Sequence, residues 1–409
     1  MNRWLDVKVD QSTWPGPGKK PAFPSTFHKG SSSYELNIPA MLLMIGYLTT
    51  PTSTTGISLS EFWAWVRYLA AITDENSMRL TSSFANLDPH QKTILSDDFG
   101  MGVPMLWLCE KLSLECIVDG RYFVQKFAAS AGASQRRTAK RGPNKTPDFV
   151  ARDVFGKWHV IECKGTQSGI EYSDYQIGKR LPLPTGGIAQ KRAIRFPPGY
   201  TGQRLVCGLN IGIEGKTDSI LRIVDPELEE PFDVEASELS SANDAITRGV
   251  MSRVLRMSGF EIAAETMASP FGRDPGATLF KTGSAEDKRK EIVKERDQRA
   301  RVELRDLESH QSIFSKQFIG RQLAIELPRD IMVNEKPVSR VIVKQGINRE
   351  VLQELRGNPT IDNLADQSDV SWTSMVGRST VKSDGPTAQM KFGEIFRSEL
   401  ILETREKRR

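Results

Sequence analysis

The sequence predicts an α/β protein whose centre is a mixed α/β core, preceded by a mostly helical section and followed by an α+β region. Three observations lead there. Residues 100–215 read as one helix, several short apolar strands, a short helix and another strand, the order α-β-β-β-α-β. The flanks change period, with apolar stripes at helical spacing before this stretch and helices followed by strands after it. The length of 409 residues exceeds what one core serves, and 38% hydrophobic with 26% charged residues excludes a membrane-embedded, collagen-like or wholly disordered chain. The expected division is 1–98, 99–216 and 217–409.

Residues 36–60 carry no charge, but their continuous apolar part, 39–48, is too short for a bilayer span and reads as a buried helix ended by Pro51. Ser58-Leu59-Ser60-Glu61 fits a capping box with Ser58 as the cap, and Phe62, Trp65, Val66, Leu69 and Ala70 follow as a packing stripe. Pro104 suits the first turn of a helix with Met105, Leu106, Leu108 and Leu112 on its apolar side. Residues 114–124 read as a strand pair, or one bent strand, turning at Asp119-Gly120. Residues 128–146 are small, polar and basic, a loop. Strands are expected at 147–152 and 157–165, joined near Phe155-Gly156, then a short helix at 188–194 and a strand at 204–213. Further on come a strand at 219–224, one or two helices over 236–268, a charge-laced helix over 285–310, strands at 318–327 and 338–343, and a frayed helical end at 403–409.

Charge is uneven. The whole chain carries +5, yet residues 131–195 hold thirteen basic against five acidic residues, a local excess of eight that leaves the remainder at −3. An island of this kind suits a polyanion-binding surface or a solvated loop. Cys109, Cys116, Cys163 and Cys207 show neither a C-x-x-C pair nor regular spacing, which points to reduced thiols. The N-terminus lacks the basic and apolar regions of a secretion signal, so a cytoplasmic, non-membrane protein is expected. His28, His90, His159 and His310 have no metal-ligand spacing, and His159 reads as a core residue. Neither a phosphate-binding G-x-x-x-x-G-K-[ST] loop nor a G-x-S-x-G elbow is present.

The most informative stretch runs from Thr146-Pro147-Asp148 to Glu162-Cys163-Lys164-Gly165. Side chains alternate along a strand, so Glu162 and Lys164 share one face and Cys163 takes the other. Trp158, Val160, His159 and Ile161 make that strand central and buried, where a carboxylate and an ammonium are costly unless they serve a site. Asp148, at the start of the partner strand, would bring a second carboxylate near Glu162. Two converging carboxylates suit a hard divalent cation completed by waters and phosphate oxygens, and a lysine beside it suits phosphodiester hydrolysis.

Pro147-Asp148, thirteen intervening residues and Glu162-Cys163-Lys164 resemble the PD-(D/E)XK nuclease superfamily, the restriction-endonuclease-like fold, whose core has this α-β-β-β-α-β order. The resemblance covers about 115 residues. It implies that Asp148 and Glu162 bind Mg²⁺, for which Mn²⁺ can substitute, that the main-chain carbonyl of Cys163 completes the coordination, and that Lys164 assists the attacking water. It further implies an acidic residue from the first core helix, for which Glu110 is the candidate and Glu115 the second choice. A glutamine in the helix after the E-x-K strand is implied too, where Gln190 stands without the family's tyrosine four residues on. Products would be 5′-phosphate and 3′-hydroxyl ends. E-x-K recurs at Glu214-Gly215-Lys216 and Glu286-Asp287-Lys288, but Pro-Asp occurs once. On this reading Arg136, Arg137, Lys140, Arg141, Lys145, Lys179, Arg180, Lys191, Arg192 and Arg195 flank the site and grip phosphates.

The expectation is a Mg²⁺-dependent DNA endonuclease of a prokaryotic restriction, antiviral-defence or mobile-element system, with the C-terminal region recognising substrate, a partner protein or a second copy. The alternatives are an RNase, or a non-cleaving nucleic-acid-binding or partner-docking module of the same fold.

Overall fold

The computed structural model describes residues 1–16, 18–19, 21–53, 59–130, 146–178, 185–190, 194–225, 232–269, 283–306, 310–357, 359 and 379–404. It is a mixed α/β structure with two principal sheets. The first sheet has seven strands: β1 (Asn2–Val9), β2 (Gly30–Asn37), β4 (Leu114–Asp119), β5 (Phe149–Asp153), β6 (Trp158–Thr166), β8 (Thr201–Asn210) and β10 (Ile220–Val224), in the order β2-β1-β10-β8-β6-β5-β4. β4, β5 and β6 form an antiparallel meander, and β8 then joins β6 in parallel. The short strands β3 (Arg79–Leu80) with β9 (Gly212–Ile213), and β7 (Ile194–Arg195) with β11 (Phe232–Asp233), make two small parallel pairs. The second sheet is wholly antiparallel. It contains β12 (Gln311–Ile313), β13 (Phe318–Val333), β14 (Lys336–Asn348), β15 (Ser379–Asp384), β16 (Thr387–Phe392) and β17 (Phe396–Thr404), ordered β12-β13-β14-β17-β16-β15.

Helices fill the space between and around the sheets. α1 (Ile38–Thr49) is the expected uncharged helix, capped by Asn37 and buried from Ile38 through Leu48. It packs on α2 (Glu61–Ala71), on α4 (Pro89–Leu112) and on β15, β16 and β17, and so lies between the sheets. α3 (Ser82–Ala85) is a single turn. α4 covers one face of β6 and β8. On the other side, α5 (Gly120–Ser130) and α8 (Leu239–Met257) lie over β4, while α6 (Ile170–Ile177) and α7 (Gly186–Gln190) lie over β6. α9 (Glu261–Ala268) packs on α8 and on α10 (Gly283–Arg305), α10 packs on α11 (Arg349–Gly357), and α11 lies against β14 of the second sheet. Among the described residues no helix is long and apolar enough to cross a membrane.

Several expectations change. Residues 1–98, read as a mostly helical unit, contribute β1 and β2 to the same sheet as β4, β5, β6 and β8, so the sheet runs across the expected boundary at 98/99, and β10 carries it past 216. Asp119-Gly120 does not turn a hairpin. The chain enters α5 there, because the Gly120 N–H donates to the Asp148 carbonyl and a Cβ at Gly120 would lie 2.1 Å from the Pro147 oxygen. The helix expected to start at Pro104 starts at Pro89, where the Asp88 carboxylate accepts from the His90 and Gln91 N–H groups; Pro104 lies inside it. Pro104 has no N–H to offer the Gly100 carbonyl, and Gly100 has no side chain to crowd the ring. The α2 N-cap is Ser60, whose hydroxyl donates to the Thr49 carbonyl instead of capping, and Ser58 lies outside the described residues. The end expected as a helix continues β17 to Thr404; residues 405–409 lie outside the described residues, as do 131–145 of the basic loop. The short helix after the site is α7, earlier than expected, with β7 following it.

Candidate active site

Asp148 and Glu162 face each other across the β5–β6 ladder. Phe149 pairs with Ile161, so the preceding residue on β5 stands opposite the following residue on β6. Three contacts fix Asp148. Its N–H donates to Glu162 Oε2 at 3.2 Å, its Oδ2 accepts the Cys163 N–H at 2.8 Å, and its carbonyl accepts the Gly120 N–H at 2.8 Å. Lys164 Nζ donates to Glu162 Oε1. Cys163 points to the opposite face, where its hydrogen-bonding contact with Cys207 on β8, and then burial, push its thiol well up; all four cysteines are free and buried. Because N–H and C=O of one strand residue leave by the same edge, the Cys163 carbonyl leaves β6 on the side of Asp148.

Electrostatics follow from burial. The Glu162 side chain has no solvent exposure; burial and the neighbouring Asp148 push its carboxyl up to about 8, against the pull of Lys164. Asp148 is likewise raised by burial, with Lys164 and the Cys163 N–H opposing. Burial disfavours the Lys164 ammonium, but Glu162 and Asp148 outweigh it and hold the amine above its ordinary value. Among the described residues, two carboxylates that both resist ionisation in one place, with the Lys164 ammonium beside them, form a site short of positive charge.

A third carboxylate, absent from the sequence-derived set, stands near them. Asp97, on α4, is held above its usual range by partial desolvation, with Asp148 adding to the rise and Lys164 opposing it. The helix is brought there by two glycines. A Cβ on Gly100 would fall 2.5 Å from the Gly165 nitrogen, and one on Gly165 would fall 1.8 Å from the Ser96 carbonyl oxygen, so α4 and β6 touch backbone to backbone just past Lys164. Glu110 belongs elsewhere. It sits thirteen residues further along α4, about 20 Å at the helical rise, and pairs with Lys111 at 2.8 Å. Glu115 binds Arg152. Neither joins Asp148, and the reason is the true start of α4, which swings its N-terminal half onto β6. The signals available were Asp88-Pro89 as cap and first turn, and Gly100 facing Gly165.

On the other flank, α7 rests on Glu162. A Cβ at Gly187 would meet Glu162 Cγ at 3.2 Å and Val206 at 2.7 Å. Gln190 ends α7 one turn later, and its side chain lies outside the described residues, as do Arg136, Arg137, Lys140, Arg141, Lys145, Lys179, Arg180, Lys191 and Arg192. Arg195 is described, exposed on β7. Glu214 of the second E-x-K accepts the Ser82 N–H at 2.9 Å and so caps α3, well accounted for without chemistry. His159 is a core residue. The Gln203 N–H donates to its Nδ1 at 3.0 Å, which leaves Nε2 as the N–H facing Asp153 Oδ2 at 3.2 Å.

The donors fit a hard dication. They are all oxygen, two of them carboxylates whose ionisation a cation would favour, and Mg²⁺ ordinarily takes one or two carboxylates plus water and phosphate oxygens. Among the described residues no group of three or more His, Cys, Asp or Glu side chains is arranged to hold a metal ion, so any ion here would rest on two carboxylates, main-chain oxygen and water. No family model, curated protein or solved structure matches this chain.

Proposed function

We propose that the protein is a Mg²⁺-dependent nuclease of the PD-(D/E)XK type that cleaves DNA by preference. One observation carries the reading: Asp148 and Glu162 are cross-strand neighbours beside Lys164 on the buried central strand β6, within a chain order α4-β4-α5-β5-β6-α6-α7-β8 that follows α-β-β-β-α-β once α5, inserted between β4 and β5, is set aside. Asp148, Glu162 and the Cys163 carbonyl would hold the ion. When bound, Mg²⁺ supplies a polarised phosphate oxygen and a more acidic water. The chain's own groups do the rest. Lys164 offers an ammonium beside the carboxylates, placed to hydrogen-bond a non-bridging phosphate oxygen and to orient the attacking water. Asp97 of α4, near enough to Asp148 and Lys164 to feel both charges, would accept a proton from that water. The Cys163 N–H and Gly120 N–H keep Asp148 from rotating away.

The test is incubation of the purified protein with plasmid, single-stranded DNA and RNA, with Mg²⁺, Mn²⁺ or EDTA. We expect metal-dependent cleavage of DNA, lost by about 100-fold or more in Asp148→Ala and Lys164→Ala, reduced about tenfold in Asp97→Asn and unchanged in Glu110→Gln. Cleavage that survives both Asp148→Ala and Lys164→Ala overturns the site. Mg²⁺ should also raise the melting temperature of the wild type and not of Asp148→Ala, a readout independent of turnover.

A further inference from the structure

α6 leaves the end of β6 almost at once and lies on the face of the sheet that carries Glu162 and Lys164. Its inner residues, Ser173 and Ile177, sit over Gly208, which pairs with Lys164 across the β6–β8 ladder; a Cβ there would meet Ile177 at 2.6 Å. Asp174 is held by Arg222 of β10 and pins the helix. The outer side is aromatic. Tyr175 is 76% exposed and Tyr172 47%, with ring centroids 6.1 Å apart and planes tilted by 33°. Two large rings at i and i+3 on the solvent side of a helix, one of them three-quarters exposed, leave apolar surface open beside a buried ionic site among the described residues.

We infer that Tyr172 and Tyr175 form a stacking platform for unpaired bases, so that the strand reaching the site is single-stranded or locally opened. The inference rests on the nuclease reading of the neighbouring carboxylates. Three features favour bases over other occupants. The sequence around the helix, residues 131–195, carries eight excess positive charges, which draws a polyanion. Glu171 precedes Tyr175 by one turn and disfavours a phosphate at that ring, leaving the base as the part of a nucleotide that meets it. Rings only 6.1 Å apart and tilted leave no slot between them, so bases would lie on their outer faces, as on the aromatic platforms of proteins that bind single strands.

Fluorescence polarisation with a labelled single-stranded 20-mer and its duplex, in EDTA and again with Ca²⁺, tests this. Wild type should bind the single strand. Tyr175→Ala should weaken that binding about tenfold, Tyr172→Ala less, with duplex binding changed under twofold, while Tyr175→Phe keeps wild-type affinity because the ring and not the hydroxyl stacks. Both side chains are exposed, so unchanged melting temperatures accompany these results. Equal losses on single strand and duplex, or a Phe variant as weak as Ala, overturn the platform. A protein-docking role for the pair would leave both oligonucleotide affinities at wild-type values, which also overturns it. If the wild type cleaves DNA while Tyr175→Ala binds normally, the platform alone fails; if the wild type neither binds nor cleaves any nucleic acid, the nuclease reading fails with it.

Discussion

A buried carboxylate and a histidine at the far end of β5 and β6 show how a motif strand is held in register away from its chemistry. Asp153 Oδ1 accepts the Phe155 N–H at 2.9 Å and the Lys157 N–H at 2.8 Å, closing the turn, while Oδ2 takes the Nε2–H of His159. Burial opposes ionisation, but these donors outweigh it and hold the Asp153 carboxyl below its ordinary value. A carboxylate whose folded pKa is depressed adds stability above its unfolded value, about 4, and loses it as pH falls through the folded one. Asp153→Asn should therefore cost about 1–3 kcal/mol at pH 7, and the gap to wild type should close as pH drops towards about 3. Melting curves across that range decide it, and an offset constant with pH would mean that the ionised form contributes nothing. At this scale the sequence was legible where a residue's role follows from its strand neighbours. The grouping of Asp148, Glu162 and Lys164 follows from the hairpin and its alternation, as does the core placement of His159, whereas the position of Asp97 depends on where a helix crosses the sheet.

That crossing is a property of elements. β6 was readable from its continuous apolar run between turn signals, and β5, β8 and α1 were readable from their own apolar patterns. α4 was not, since Pro104 offered an obvious start and the Asp88-Pro89 cap lies in a polar stretch; α5 was hidden because Asp-Gly reads as a turn. β1 carried a clear alternation, with Arg3, Leu5, Val7 and Val9 inward, yet its partner β10 is some 210 residues away, and no local pattern reveals a long-range parallel pairing. The α4–β6 contact itself makes a sharp prediction. With the Ser96 oxygen 1.8 Å from the place a Gly165 Cβ would occupy, the backbones must part before any side chain fits. Gly165→Ala should cost about 3 kcal/mol or more through overpacking and, on the proposed function, should cut nuclease turnover even where folded protein is recovered, because it moves the α4 backbone that carries Asp97 away from β6. A variant with wild-type melting temperature and turnover would show that the contact is slack.

For the whole molecule the question is whether the second sheet is a separate body. One apolar cluster runs from Leu5 and Val7 of the first sheet through Met41, Leu42 and Ile45 of α1 to Val341, Phe392 and Leu400 of the second. α1 is buried on all sides, so neither sheet can leave without exposing it, and each large aliphatic side chain uncovered costs roughly 1.5–3 kcal/mol. Polar ties cross the same boundary. The β13–β14 turn, with Asn334 and Glu335 both at positive φ, presents two N–H groups to the Asp74 carboxylate, and the buried Arg3 guanidinium joins Asp74, the Thr73 carbonyl and Asn334. Arg321 of β13 pairs with Glu61 of α2 at 2.7 Å. Strain of this left-handed kind at a non-glycine pair persists where surrounding contacts over-determine it. The two sheets should therefore unfold together. Calorimetry of the full chain should give one transition whose calorimetric and van't Hoff enthalpies agree, despite a length at which domains usually separate. Asp74→Ala should lower that transition by a few degrees, consistent with about 1–3 kcal/mol for two lost N–H acceptors and a weakened buried guanidinium, and should leave it single. Two resolved transitions in the wild type, or a split appearing on Asp74→Ala, would show that the second sheet is held by its turn contacts and not by the shared core around α1.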